Sequence, residues 1–367
     1  MVSVIIPVYQ VSDYVERCIR SVMAQTYSDI ECIIVDDATK DDSIEKCERL
    51  IADYNLNLDV NVLCKQSEQA RANVNLNDDL LETAVAEQAT KGRANDKIRF
   101  KILHHEVNRG LSAARNTGTM AATGEYLFYL DSDDYISPDC IEKLVSVVNA
   151  DPTIEMVQAN SLMKSEGKEV SLYRFGHSIN ISNNDEARTE FFKNRNIYIS
   201  VWNRLLKRSF VEENRLFCRE GLVFEDLLWV FYLMKYLNKA YLCEDITHYY
   251  CLRQGSILVE AKPESVRCYP IMFDEILQNL TTKHECEEIN GYLYYFIKRY
   301  VSYGKIVPEF KETIRLYWNK AKQYHCWYAY LVLNVVAVIS RFSNPMGILK
   351  TMNTVRWLMK GKRTNRH

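Results

Sequence analysis

Glycine and proline are scarce in this 367-residue chain, at 12 and 7, which excludes long Gly/Pro-rich linkers. No run of 18 apolar residues occurs, so no membrane-spanning helix is expected. The nearest approach, Trp327 to Ile339, is too short and is interrupted by Asn334. The eleven cysteines are odd in number and include no C-x-x-C pair and no Cys/His metal spacing. No leader is expected before the first strand, so free thiols in a reducing cytoplasm are the simplest expectation. Acidic residues stop after Glu312, while ten basic residues follow it, from Arg315 to Arg366. With an overall charge of −2, residues 1–312 carry about −12. An acidic body and a basic tail imply separate partners for each.

What is present belongs to a folded protein. Apolar residues make up 47% and charged residues 26%, enough for one large α/β domain plus a smaller appendage. Val2 to Val8 is an apolar run that reads as a buried parallel strand. Asp13 and Glu16 have capping-box spacing, and Val15, Cys18, Ile19, Val22 and Met23 follow at helical intervals. Ile30 to Val35 predicts a second strand, Asp42 to about Asn55 a helix, and Arg99 to His104 a strand. Leu111 to Ala122 predicts a helix and Tyr126 to Leu130 a strand. Such alternation predicts right-handed crossovers and a doubly wound, mostly parallel sheet flanked by helices. Residues 56–97 interrupt the rhythm where two to six residues normally suffice. This insert, with a helix expected over Asp78–Gln88, joins a helix to a strand and is expected at the amino ends of the strands, away from ligands. From Asp185 onward the pattern reads as mostly helical. We expect a catalytic domain over 1–260, with the 56–97 insert, and a helical region over 261–367.

Three features fall at carboxyl ends of predicted strands: Pro7/Tyr9, Asp36/Asp37 and the run Asp131-Ser132-Asp133-Asp134. Packing does not favour clustered carboxylates at a strand end, because they repel one another. Converging carboxylates do hold a hard cation such as Mg²⁺ or Mn²⁺, which then bridges to phosphate oxygens. A metal also explains how an acidic site binds an anionic diphosphate.

Five segments in register extend the reading. Val4-Ile5-Ile6-Pro7-Val8-Tyr9, Ile33-Ile34-Val35-Asp36-Asp37, Asn108-Arg109-Gly110-Leu111-Ser112-Ala113-Ala114-Arg115-Asn116-Thr117-Gly118, Gly124-Glu125-Tyr126 and Asp131-Ser132-Asp133-Asp134 closely resemble the family 2 inverting glycosyltransferases. The resemblance covers residues 1–150 and continues more weakly through Trp202-Asn203 and Glu225-Asp226 to about residue 257. It implies the glycosyltransferase A fold and a nucleotide-sugar donor, with a UDP-sugar first among them. Carried over, it makes Pro7 and Tyr9 the wall of the base pocket and Asp37, beside Asp36, the acceptor for the base N–H. Arg115 becomes part of the nucleotide pocket; its alternative is a helix-to-strand pairing with a carboxylate. Asp131 and Asp133 resemble the D-x-D pair for ribose and metal, and Asp134 is an alternative metal ligand. Asp226 resembles the catalytic base, with Glu225 as fallback and an ordinary helix N-cap as the alternative. Arg253, in a Tyr-Tyr-Cys-Leu-Arg-Gln-Gly-Ser-Ile segment, would neutralise charge on the leaving diphosphate; a solvated surface arginine is its alternative. Trp202 and Asn203 shape a sugar or acceptor pocket or serve the core, and the seven histidines read as structural.

The resemblance implies Mn²⁺ or Mg²⁺ as cofactor and a saccharide or lipid-linked acceptor, as in bacterial surface-polysaccharide assembly. The aromatic and basic tail suits a peripheral contact of residues 325–367 with an anionic membrane, on its cytoplasmic face. No nucleic-acid fold accompanies the basic residues, so no nucleic-acid partner is expected. Two rival readings are a non-catalytic nucleotide-sugar-binding scaffold subunit and a nucleotidyltransferase. The second would call for a Gly-rich phosphate loop after the first strand, and none is there.

Overall fold

The computed structural model describes residues 1–56, 98–165, 168–173, 175–252, 265, 267–289 and 308–326. The insert residues 57–97, the expected helix within them, Arg253 and the tail from residue 327 lie outside the described residues. The chain forms two compact units, Met1–Gly221 with Tyr232–Arg253, and Leu222–Phe231 with Gln254–His367.

The first unit opens with β1 (Val2–Val8), α1 (Val15–Met23), β2 (Ile30–Asp36) and α2 (residues 43–56). Then come β3 (Arg99–His104), α3 (Leu111–Ala121) and β4 (Tyr126–Tyr129). Strands β3, β2, β1 and β4 lie side by side in that order and are parallel. Side chains alternate along β1. Val2, Val4, Ile6 and Val8 share one core with Val15, Cys18, Ile19 and Val22 of α1 and with Ile44, Cys47 and Leu50 of α2. Ile5 faces the other way, against α3. There a Cβ on Gly118 would come within 2.4 Å of the Ile5 Cγ2, so glycine is what lets this helix lie close on the strand. Helices on both faces explain why β1 reads as an unbroken apolar run.

Gly124 has a related role at the amino ends of the strands. Its N–H donates to the Ser3 Oγ and the Glu31 carboxylate, both at 2.8 Å. Burial alone would raise the Glu31 carboxyl, but hydrogen bonds from Ser3, Thr123 and Gly124 outweigh it and hold the carboxyl below its ordinary range. A Cβ at Gly124 would stand 2.5 Å from the Ser3 Oγ and 2.7 Å from the Ser3 backbone nitrogen. Backbone cannot yield as a side chain does, so Gly124→Ala should lower unfolding free energy by about 2–3 kcal/mol, read as a reduced urea midpoint. An unchanged midpoint would contradict this contact.

The rest of the sheet is mixed. It comprises β5 (Tyr135–Ile136), β6 (Met156–Ser165), β7 (Lys168–Tyr173), β8 (Ile179–Ile181), β9 (Arg204–Lys207) and β10 (Ala240–Cys251). Strand β9 enters antiparallel between β4 and β6, and β10 lies parallel to β6 with β5 antiparallel beside it. Helices α4 (Cys140–Ala150), α5 (Asn184–Thr189), a π-turn over Glu190–Asn194, and α6 (Arg208–Glu213) connect them. Among the described residues after Asp185 helices predominate, as expected, but β9 and the twelve-residue β10 add strands that the pattern did not announce. Register shifts at Cys243/Ile246 and Ile246/His248 break the period of two that announces a strand. The capping box expected at Asp13/Glu16 is also absent. Tyr14 caps α1 without a side-chain bond, and the first turn is closed by the Tyr14 and Val15 N–H groups on the Val11 carbonyl.

Helix α7 (Asp226–Tyr236) follows α6. The second unit contains α8 (Cys268–Gln278), α9 (Lys283–Glu288) and α10 (Pro308–Gln323). Within it, Phe273 meets Tyr317 edge-on at 5.8 Å, Phe224 stacks on Tyr269 at 5.2 Å, and Thr282 and Glu285 form a capping box. All ten cysteines among the described residues are buried free thiols. Among those residues no helix is long and apolar enough to cross a membrane.

Candidate active site

The carboxyl ends of β1 to β4 bring together Tyr9, Asp36-Asp37, His104-His105 and the acidic run. Pro7 is buried in β1, pairing with Val35, while Tyr9, just past the strand, is 38% exposed. The next residue, Gln10, and Ala38 after Asp37 both adopt left-handed φ angles, 52° and 57°. Such conformations are costly outside glycine and tend to collect at ligand sites.

Asp36 and Asp37 have different surroundings. Asp36 is partly exposed; it accepts the Thr39 N–H at 2.9 Å and contacts the His104 Nδ1 at 3.0 Å. Asp37 is buried, and each of its carboxylate oxygens has two partners. Oδ1 takes the Arg109 N–H at 2.8 Å and meets the His105 Nδ1 at 2.7 Å; Oδ2 takes the Gly110 N–H at 2.7 Å and the Asn108 amide at 2.9 Å. Gly110 holds φ at +88° to make this turn. A carboxylate offers about four lone-pair sites, so the base contact expected of Asp37 would require it to give up one of these bonds. In this structure Asp37 anchors the loop that starts α3. His105, which also meets the Thr117 hydroxyl at 2.8 Å, belongs to the same anchor.

Helix α3 supplies the next layer. Arg115, 3% exposed, donates to the Asp131 carboxylate at 2.7 Å, which realises the helix-to-strand pairing. Asn116 bonds both the N–H and the carbonyl of Cys218, at 2.8 and 2.9 Å, and so ties down the segment after α6. Asn108, Arg109, Arg115, Asn116 and Thr117 of this motif thereby each acquire a partner for the side chain.

The three carboxylates of the acidic run divide their work. Asp131 is 22% exposed and paired with Arg115. Asp134 is fully buried and turned toward β10: its Oδ1 accepts the Cys251 N–H at 2.8 Å, and its Oδ2 lies 3.2 Å from the His248 Nε2. His248 in turn meets the Ser161 hydroxyl at 3.1 Å and stacks on Trp202 at 4.5 Å. Asn203, buried with φ at 58°, donates to the Ser161 hydroxyl at 3.0 Å and accepts from Thr247. Trp202 and Asn203 therefore serve the packed floor beneath the run. Asp133 is the remaining carboxylate, partly exposed, and its carbonyl accepts an N–H from Arg17 at 2.9 Å.

Burial lifts the Asp134 carboxyl to about 7; His248 opposes the rise, and the charges of Asp133 and Asp131 add to it. An acid raised in the folded state keeps a proton that the unfolded chain releases near pH 4. Its contribution to stability therefore falls as pH climbs from about 4 toward 7, and is flat on either side. In metal-free protein, Asp134→Asn should gain on the wild type between pH 5 and pH 8 in urea unfolding. Parallel stability curves would contradict the assignment.

Glu225 is buried and Asp226 partly exposed, and Asp226 begins α7, its carboxylate accepting the N–H of Leu227 at 3.0 Å. Phe224, just before them, has φ at 65°. Both carboxylates belong to the second unit.

Sequence reasoning missed Arg17, His105 and His248. Of these only His105 and His248 carried any signal, as histidines flanking the strand-end motifs.

The family model described as Glycosyl transferase family 2 matches residues 3–77 and 77–215. The chain is 33% identical over 144 residues to the uncharacterized glycosyltransferase EpsJ of Bacillus subtilis, covering 39% of this chain and 29% of that one. It is 26% identical over 272 residues to the glycosyltransferase GlyA of Streptococcus pneumoniae, covering 70% and 31%. It thus spans about three tenths of the length of these curated relatives. Among solved structures, S. aureus TarS 1–349 in complex with UDP-GlcNAc matches with a TM-score of 0.62 at 17% identity, covering 97% of this chain and 91% of that one. That likeness speaks for the fold, and it bears out the expected glycosyltransferase A fold. With more than half its length matched by the family model, the chain belongs to glycosyl transferase family 2.

Proposed function

We propose that the chain is an inverting, metal-dependent glycosyltransferase that moves a sugar from a nucleotide-diphosphate donor to an acceptor hydroxyl in polysaccharide assembly. The acceptor is a saccharide or a lipid-linked compound. One observation carries the reading. At the carboxyl end of β4, Asp131 is held by Arg115 and Asp134 by β10, and Asp133 stands partly exposed between them.

Among the described residues no three His, Cys, Asp or Glu side chains converge as a metal cage. A cation serving a nucleotide needs fewer, because one or two carboxylates suffice and substrate phosphates complete the shell. The donor set fits that arrangement. Asp133 would hold Mg²⁺ or Mn²⁺ with Asp131 beside it, and the buried commitments of Asp134 favour a supporting role. When bound, the cation supplies positive charge against the departing diphosphate. Tyr9 offers its exposed ring to the base, Pro7 backs it, and Asp36 is better placed than Asp37 to accept a base N–H. Asp226 takes the proton of the attacking hydroxyl, with Glu225 as fallback. Attack opposite the leaving diphosphate inverts the anomeric centre. Arg253 is assigned to the diphosphate on the resemblance alone.

TarS was crystallised with UDP-GlcNAc, so UDP-sugars head the donors to test. In a panel of nucleotide-sugars with Mn²⁺, at least one is expected to raise Tm; a donor at a hundred times its Kd contributes about 2.7 kcal/mol. No shift with any member would refute the donor reading.

A further inference from the structure

Helix α3, eleven residues long, begins at the ligand end of the sheet with hydrogen-bond donors to spare. Among the described residues, the N–H groups of Leu111, Ser112 and Ala113 have no partner; the first bond of the helix runs from the Ala114 N–H to the Gly110 carbonyl at 3.1 Å. No side chain caps this end, and no acidic residue stands in its first turn, where a soluble helix ordinarily has one or the other. Inside the same turn the Ser112 hydroxyl is 2% exposed and also lacks a partner among the described residues. A buried hydroxyl left unpaired destabilises the fold, so packing does not account for a serine here.

The direction of that hydroxyl follows from the helix. Ser112, Arg115 and Thr119 are spaced by three and four residues and so share one face. Thr119 meets the Tyr129 hydroxyl and Arg115 meets Asp131, both at 2.7 Å; Ser112, a turn nearer the helix start, stands beyond the strand ends. Two anchors bracket it. Gly110 is bound to Asp37, just past β2, and Arg115 to Asp131, just past β4. Strand β1 lies between β2 and β4, so the turn between the anchors comes over the end of β1, where Tyr9 follows. The helix start is open, because a Cβ on Gly110 would meet nothing within 4 Å.

Donors at a helix start take an oxygen, often that of an anion. Here the buried Asp37 carboxylate already takes the two N–H groups that precede the turn, so a phosphate would face a like charge. A neutral carbonyl oxygen would not. A pyrimidine laid on the Tyr9 ring carries such an oxygen beside a ring N–H. We infer that the Ser112 hydroxyl and the first-turn N–H groups of α3 take a ring carbonyl oxygen of the donor's base, beside the N–H assigned to Asp36. Ser112 is then a specificity residue for a uracil-type base. This rests on the nucleotide-sugar reading above.

The test titrates UDP, 2-thio-UDP and 4-thio-UDP into the full chain with Mn²⁺, sulfur being a poorer acceptor than oxygen. Wild type should bind one of the thio analogues about five- to tenfold more weakly than UDP, and the affected position names the oxygen. Ser112→Ala should weaken UDP by a similar factor, and in that variant the sulfur penalty should shrink to about twofold or less. Ligand-free Ser112→Ala should melt no lower than wild type, because it removes an unpaired buried hydroxyl and alanine is the better helix former. A lower Tm would mean that the hydroxyl holds the fold, and would overturn the proposal. Equal UDP affinity in wild type and variant, or thio analogues that bind wild type as UDP does, would overturn the Ser112 role while leaving the donor reading in place. A loss of equal size for UDP and both analogues would put the contact on ribose or phosphate and overturn it too. Wild-type protein that binds no UDP would sink the donor reading itself, and the Ser112 role with it.

Discussion

Replacing Asp133 with alanine is expected to lower sugar transfer by about a thousandfold, or about 4 kcal/mol of transition-state stabilisation. The size follows from what the other carboxylates are doing. Asp131 is paired with Arg115 and Asp134 is buried against Cys251 and His248, so neither is free to take over a cation without breaking a bond that holds the loop. Because the Asp133 side chain is partly exposed, Tm without metal should fall only slightly. Asp134→Ala should behave in the opposite way, with a large fall in Tm, since it leaves the buried Cys251 N–H without its acceptor. A Asp133→Ala variant that turned over normally would remove the metal from the mechanism.

Replacing Asp226 with asparagine is expected to lower turnover by about a hundredfold to ten-thousandfold while leaving donor affinity unchanged. Asparagine keeps the shape and an oxygen for the Leu227 N–H, so helix α7 should keep its start, but the amide cannot accept a proton at neutral pH. Loss of turnover with unchanged UDP affinity separates a base from a binding residue. If Glu225→Gln gives that pattern and Asp226→Asn does not, the base is Glu225. If neither affects turnover, the proton goes elsewhere.

Local patterns made much of the fold legible. Strands β1 and β3 were readable to the residue. The run Asp131–Asp134 was visible because three carboxylates at a strand end have few packing explanations. What each carboxylate does was not visible. The partners that distinguish them arrive from far along the chain, as with Cys251, 117 residues from Asp134, and Asn108, 71 residues from Asp37. Asp37 illustrates the limit: family resemblance points it at the base, while its packed surroundings bind it to a loop. Strand β10 escaped notice because its bulges spoil the alternation that period-based reading depends on.

The central claim is that this acidic strand end receives a nucleotide diphosphate through a divalent cation. Calorimetric titration of UDP into the full chain, first with Mn²⁺ and then with EDTA, tests it most directly. The account predicts saturable binding with Mn²⁺ that disappears in EDTA and in Asp133→Ala. UDP binding that survives EDTA undiminished, or no binding under either condition, would contradict it.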